Sequence, residues 1–549
     1  MKTKHILIAV AVTLVSCCCS SKIDKPTYDT KNTITVNTDQ TGDLMWNVVS
    51  NVNIWEMGSQ FLRARVNETW NVFEFVEYVQ LMQCTGGSTS RDLFRDPNNT
   101  AVRDDYKFDN LVGNCRGILK LGAKPHLKLG SVPLKLSDNP EARGFGTNIY
   151  PPRDYDEYYR YIKAAIEALV KEFGKEEVAS WHFGCMTEYE NADWFQAHGG
   201  NGKDSFVAYC KLYDYTGKAL TDVLGDDVYY GAHAMAVTEG LWDETMFIEH
   251  VAKGTNYATG KTGSPIKYLA FSFYDSTPGK FTTGKTLDEC VKHMRGAAEK
   301  YGLTDLKYGV DEGRILNGNV SGRLAADLNN RTCGYTWQAA YDARLYKIAY
   351  DNDINYISMW NYLSANNVTG FPNISYHVSS NLAKMSGGLR CDVDTNIGGI
   401  ESGAEVDAVA SIKDNVVRVM IYNFKNDVNY DRKVMFNLKV KVPFKGDVTC
   451  TKSLVCDDCN FFDEWVVDRK KLGITENDFA WSPDDPLLDQ SNTLQSSAAQ
   501  RLYKDNVREG YFQCATLVPT TETVKVEKGY INMGIVLDPS NVLFLEFKQ

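Results

Sequence analysis

The sequence predicts an α/β protein, a (β/α)8 barrel followed by a β-sandwich. Three observations predict it. From Leu44 to about Gly388, short apolar runs alternate with stretches whose apolar residues recur at helical spacing. Alternation of this kind builds βα units around a parallel sheet. Eight strand candidates can be counted, the number that closes a barrel. Beyond Gly388 the helical period fades and strand-like runs separated by turns replace it, as in a sandwich. An open doubly wound sheet is the alternative, but no glycine-rich phosphate loop opens a helix after a strand.

The barrel strands are expected at 45–52, 79–84, 125–129, the start of the 181–195 stretch, 228–232, 268–273, 306–310 and 356–359. Between the second and third, Phe108, Leu111, Cys115 and Leu119 share one helical face, which Gly122 closes. The clearest helix starts at Asp154 with Glu157 three residues on, a capping-box spacing. Its apolar face runs Tyr158, Ile162, Ile166, Leu169 and Phe173, and Gly174 stops it. Further helices are read at 205–224, 241–251, 287–301 and 337–349. The sandwich strands fall at 406–412, 416–422, 433–442, 447–452, 524–528, 534–537 and 542–547. Residues 457–508, rich in charge and proline, read as a long excursion.

The N-terminus reads as a targeting segment. Lys2 and Lys4 precede a ten-residue apolar stretch, 6–15, too short to span a bilayer. Leu14-Val15-Ser16-Cys17 resembles a bacterial lipobox, which marks Cys17 for lipidation; a plain secretory signal is the alternative. The division expected is 1–17 signal peptide, 18–40 tether and short strand, 41–388 catalytic barrel and 389–549 sandwich. The expected location is the bacterial cell envelope, periplasmic or surface, with the lipid as sole membrane attachment. A net charge of −11 without a long basic run argues against nucleic acid as a partner. Of fourteen cysteines, Cys456 and Cys459 form a lone C-x-x-C with no second pair for zinc. They read as a local disulfide or free thiols, and a Cys450–Cys514 bridge is a further pairing that sequence alone leaves open.

Two stretches carry chemistry. Residues 181–195, WHFGCMTEYENADWF, run from an apolar strand to Glu188, with Trp194 and Phe195 following. Residues 306–314, LKYGVDEGR, are a second strand ending in acid, at Asp311 and Glu312. Barrels present active residues at the C-terminal ends of strands, and glycoside hydrolysis needs two carboxylates. Because side chains alternate along a strand, only one of Asp311 and Glu312 should face the barrel mouth.

These residues resemble the strand-four and strand-seven motifs of clan A glycoside hydrolases. The similarity is greatest to family 39, the β-xylosidase and α-L-iduronidase relatives, with their W-x-F-x-x-W-N-E-P run. The resemblance implies Glu188 as acid/base and Glu312 as nucleophile, hence a retaining glycosidase acting on an oligo- or polysaccharide. It also implies that the TITV segment, 33–36, joins the C-terminal β domain. The family's Asn before the acid, which binds the sugar 2-hydroxyl, is Thr187 here. That departure keeps a second reading open, a surface glycan-binding lipoprotein with a degenerate, inactive site.

Tyr274 ends strand six, where the resembled enzymes place an aromatic or His on the nucleophile. His233 ends strand five as a substrate contact or a satisfied rim residue. Trp194 and Trp360 are either stacking surfaces for a sugar or core. Glu190 reads as a solvated loop acid, with a substrate hydroxyl contact as the alternative. His126 reads as a satisfied interior histidine. No H-x-x-H or H-E-x-x-H spacing suggests a metal, and no cofactor is expected. An apolar surround should keep Glu188 protonated at neutral pH while Glu312 stays ionised.

Overall fold

The structure, a computed structural model, describes residues 27–56, 74–143, 146–236, 239–275, 285–315, 336–359, 372–478, 494 and 496–549. Cys17, with the whole signal segment, and Trp360 lie outside the described residues.

Eight parallel strands close a barrel in sequence order: β2 (Asn51–Glu56), β3 (Tyr78–Gln83), β4 (Lys124–Leu129), β5 (His182–Cys185), β6 (Tyr229–Ala234), β7 (Tyr268–Asp275), β8 (Lys307–Ile315) and β9 (Tyr356–Met359). The helices between them include α1 (Asp109–Lys120), α2 (Tyr155–Phe173), α3 (Lys175–Ala179), α4 (Gly202–Leu224), α5 (Thr245–Lys253), α6 (Leu287–Lys300) and α7 (Trp337–Asp351), with α8 (Ile374–Ala383) after β9. At α2 the Asp154 carboxylate accepts from the backbone N–H of Asp156 and Glu157, and Gly174 leaves the helix at φ 88°. The first barrel strand begins at Asn51, later than expected. The apolar run before it is buried, but its backbone bonds elsewhere: Met45 N–H donates to Gly388 O (2.8 Å) and Gly387 N–H to Met45 O (2.8 Å).

The barrel interior departs from the usual layers of Val, Ile and Leu. At its N-terminal end four rings from β3, β5, β6 and β7 stack in a row: Tyr78 on His182 (3.6 Å between centroids), His182 on Tyr229 (3.9 Å) and Tyr229 on Tyr268 (5.3 Å). Above them Lys128 of β4 forms an ion pair with Asp311 of β8, both fully buried. A glycine makes the room: a Cβ on Gly184, opposite Lys128 in the register, would lie 2.8 Å from Lys128 Cδ and 2.6 Å from the Tyr268 hydroxyl.

A nine-stranded sheet forms the second body. Its strands are β1 (Thr33–Leu44), β10 (Leu389–Asn396), β11 (Ala404–Lys413), β12 (Val416–Lys425), β13 (Val434–Lys441), β14 (Gly446–Val455), β15 (Thr520–Val526), β16 (Tyr530–Leu537) and β17 (Val542–Lys548), in the order β15-β14-β17-β12-β11-β10-β1-β13-β16. Only Leu389↔Ile412 and Arg390↔Ser411 join β10 to β11. The sheet therefore opens there into two halves, which close as a sandwich over one core that includes Ile34, Val36, Val419, Phe436, Leu438 and Phe547. Strand β10 was not anticipated from sequence, and β1 runs well past 36. The other face of β12 packs on the barrel: Trp337 of α7 meets Phe424 (5.6 Å) and donates its indole N–H to Lys425 O (3.0 Å).

The 457–508 excursion is helical, with α9 (Phe462–Lys471), α10 (Ser497–Asn506) and, just after it, α11 (Arg508–Cys514) around Phe461, Trp465, Tyr503 and Tyr511. Its end docks on the barrel helix α8, where His377 Nε2 bonds Ala515 O (2.7 Å). The Cys450–Cys514 bridge does not exist; both are free. Cys450 sits in the sandwich core, whereas Cys514 flanks the small helical core, so the fold sends them to different bodies. Cys459 is a free thiol donating to Cys456 O (3.2 Å), which rules out the local disulfide.

Candidate active site

Glu188 lies three residues past β5, on a sharp turn. Met186 and Glu188 hold φ of 62° and 44°, an unusual conformation for residues with a Cβ and a form of strain that gathers at functional sites. The turn buries the Glu188 side chain to 7% exposure and points it at donors. Asn191 Nδ2 donates to Oε2 (2.7 Å), and the Ser272 and Trp194 side chains also hydrogen-bond the carboxyl. Burial raises its pKa, against the pull of those three partners.

Glu312 is reached differently. Strand β8 does not end at Val310 but continues to Ile315. Against β7 the register runs Phe271↔Val310 and then Ser272↔Glu312, so Asp311 is an extra, bulged residue. The expectation that only one of Asp311 and Glu312 faces inward fails for this reason, since a bulge breaks the alternation. The Asp311 carbonyl, freed from the ladder, accepts from Asn53 Nδ2 (3.3 Å) and Gln80 Nε2 (3.2 Å). The Asp311 carboxylate turns down to Lys128 and the Tyr356 hydroxyl (2.6 Å). Glu312 turns up, where Tyr274 donates its hydroxyl to Oε1 (2.6 Å). Its Oε2 is buried with no partner among the described residues.

Burial, and then the charge of Glu188, push the Glu312 carboxyl up to about 8. Tyr274 and Lys128 pull the other way. Glu188 is held by three hydrogen-bonding side chains and Glu312, among the described residues, by one. Burial thus pushes both carboxyls towards the protonated form, where the sequence reading expects Glu188 protonated and Glu312 ionised. Two buried carboxyls this close titrate as a pair.

The other anticipated residues divide. Thr187 is buried, and its hydroxyl has no partner among the described residues. Trp194, 2% exposed, is a hydrogen-bond partner of Glu188 rather than an open stacking surface. His233 lies under the site, fully buried. Its Nε2 bonds Ser272 Oγ (2.9 Å), and its Nδ1 is 3.8 Å from Asp311 Oδ2. Burial and then Lys128 hold its pKa well below the ordinary value, so it stays neutral and touches other protein groups instead of a substrate. Glu190 is not a solvated acid: it is fully buried and accepts from the backbone N–H of Met235 (2.7 Å) and Ala236 (3.2 Å). Burial pushes it up to about 8. His126 bonds the Tyr268 hydroxyl (2.9 Å), as an interior histidine should.

Sequence reasoning missed Asn191, Ser272 and Lys128. Ser272 and Lys128 had a signal, since each alternates with an inward residue already recognised, Tyr274 and His126. Asn191 had none, because only the turn at Glu188 brings it back.

Comparison with known proteins finds glycoside hydrolases. Residues 89–301 match the model described as Glycosyl hydrolases family 39. A beta-xylosidase of Caldicellulosiruptor saccharolyticus is 26% identical over 193 residues, 35% of this chain and 36% of that protein. The chain thus aligns with about a third of that relative's length. Among solved structures, a GH39 enzyme from Xanthomonas axonopodis pv. citri superposes over 94% of this chain and 97% of its own, with a TM-score of 0.65 at 13% identity. A monomeric beta-xylosidase from Caulobacter crescentus CB15 gives 94%, 99%, 0.63 and 13%. At such identities these structures show a shared fold. Over residues 89–301 the chain is similar to glycosyl hydrolases of family 39, and over most of its length it shares the fold of solved enzymes of that kind.

Proposed function

We propose that the protein is a retaining glycosidase. The observation that carries this reading is the pair of buried carboxyls, Glu188 and Glu312, delivered by separate strands and meeting around Ser272, which bonds Glu188 and sits opposite Glu312 in the register. In the proposed cycle Glu312 attacks the anomeric carbon and Glu188 protonates the leaving oxygen. Glu188 then deprotonates the water that releases the sugar. This requires a protonated Glu188 and a charged Glu312. A sugar hydroxyl donating to the unpartnered Oε2 of Glu312 would stabilise that charge. Thr187 offers a second buried hydroxyl for the same sugar. The substrate class is an oligo- or polysaccharide, and β-xylosides come first because of the relatives' names. We assign catalysis to the barrel, 41–388, and a supporting role to 389–549. We also place the protein in the bacterial envelope through a lipid on Cys17, where Cys17→Ala should release it from the membrane fraction.

The test is hydrolysis of a panel of aryl glycosides and oligosaccharides by the wild type and Glu312→Gln, with the anomer first released read by NMR. Retention of configuration, lost with Glu312→Gln, supports the reading; inversion, or unchanged rates in the variant, overturns it. Binding of a glycan without cleavage would instead favour the inactive-site reading, and Thr187→Asn is then the substitution to try.

A further inference from the structure

The barrel holds a charged pair that the cycle above does not use. Lys128 and Asp311 are both fully buried and in direct contact. Several features show that the pair is built into the fold. Gly184 clears the volume that the Lys128 side chain fills, and the β8 bulge turns Asp311 inward beside Glu312. Tyr356 caps the second oxygen of Asp311 at 2.6 Å, and Asn53 and Gln80 hold its carbonyl. A buried ion pair is a costly way to stabilise a fold, because desolvation offsets most of the attraction. Its placement directly under a carboxylate that has to be ionised suggests another role.

The groups facing Glu312 are Lys128 from β4, Glu188 from the turn after β5, Tyr274 from β7 and Asp311 from β8. His233 of β6 and Tyr356 of β9 face Asp311. Lys128 is the one cation in this set. Without it, three carboxyls would share a water-poor space, and Glu312 would hold its proton too tightly to act. Without Asp311, an unbalanced ammonium would lie beneath a sugar that becomes cationic in the transition state.

We infer that the Lys128–Asp311 pair is a positioning unit that sets the charge of Glu312: Lys128 supplies the field that lets Glu312 ionise, and Asp311 limits that field to what a cationic transition state tolerates. The inference rests on the proposed glycosidase reading, and it extends that reading to two residues that never touch the substrate.

The experiment compares wild type, Lys128→Met, Asp311→Asn and the double variant. The first readout needs no turnover: the pH midpoint for modification of Glu312 by a water-soluble carbodiimide, located by peptide mass spectrometry. An opposite charge this near shifts a carboxyl by about 1–3 units, so Lys128→Met should raise the midpoint by about one unit or more. Asp311→Asn should lower it, and the double variant should fall between the two. Asp311→Asn keeps the size of the side chain and carries the test if Lys128→Met fails to fold. The second readout is the acid limb of kcat/KM on an aryl glycoside, which should move with the midpoint in each variant. A midpoint that stays put in folded Asp311→Asn, or moves upward, overturns the inference. Midpoints that shift as expected in a protein that cleaves no glycoside leave the pair's role standing and reject the glycosidase reading.

Discussion

The barrel and the sandwich are both built of β-strands around a buried core, yet their interiors are opposites. Among the described residues, every buried Lys, Arg, Asp or Glu lies between Asp92 and Asp342, and none lies in the sandwich. The sandwich core is apolar from Ile34 to Phe547. In the barrel, buried charges and histidines stand where aliphatic layers would be more stable. Such groups inside one body and none inside the other fit the proposed division, with catalysis in the barrel and a supporting role for the sandwich.

That contrast can be broken most severely at Glu312. Removing the proposed nucleophile as Glu312→Gln should lower kcat by about 10^4-fold or more with little change in melting temperature, since a buried carboxyl gives way to a neutral group of the same size. A variant that keeps its rate, or that unfolds, would place Glu312 among the structural groups. The reverse experiment is Phe436→Ala in the sandwich, a fully buried side chain. It should cost about 3–5 kcal/mol in chemical denaturation and leave kcat of the remaining folded protein unchanged. A large fall in kcat would mean that the two bodies are energetically coupled.

Finer effects sharpen the picture. Tyr274→Phe removes the one hydrogen bond that Glu312 makes among the described residues. A bond to a charged group is worth about 1.5–3 kcal/mol, so kcat/KM should fall roughly ten- to a hundredfold. Its pH optimum should move upward, because the carboxylate loses a donor. Glu190 tests pH dependence alone. Its folded pKa, about 8, lies above the unfolded value. Its stabilisation is therefore complete below the unfolded pKa and is lost as pH rises towards 8. Between pH 6.5 and 8, the wild type should lose stability at up to about 1.4 kcal/mol per pH unit from this group, and Glu190→Gln should flatten that slope. Equal slopes in wild type and variant would show that Glu190 is already ionised in the fold.

Much of this was legible in the sequence because it follows from periodicity. The eight strands, the cap at Asp154, and the placement of Glu188, Glu312 and Tyr274 in or just past the C-terminal halves of their strands need only local pattern. What was not legible depended on registry or on partners. The bulge at Asp311 is defined by slippage against two neighbouring strands, which no single segment records. Trp194 beside an acid reads the same whether its ring is open or buried. Strand β10, LRCDVDTN, alternates weakly and leaves Leu389 exposed, so its pairing with β1 decides its state rather than its own composition. Glu190 looked solvated because its stretch is polar, but Gly240 packs against its side chain and the 235–236 backbone takes up its charge.

Strand β1 has one more consequence, for the order in which the molecule is made. It lies between β10 and β13, antiparallel to one and parallel to the other, with partners such as Ile34↔Thr395 and Ile34↔Leu438. Synthesis supplies β1 first and both partners only after the whole barrel sequence. The barrel strands meet their neighbours in succession as they emerge, whereas Ile34 and Val36 wait as an open edge for hundreds of residues. During that interval β1 is the segment most exposed to mispairing, and long-range closure of this kind is slow. The sandwich is thus the last body to form, although its first strand is among the earliest parts of the chain to be made.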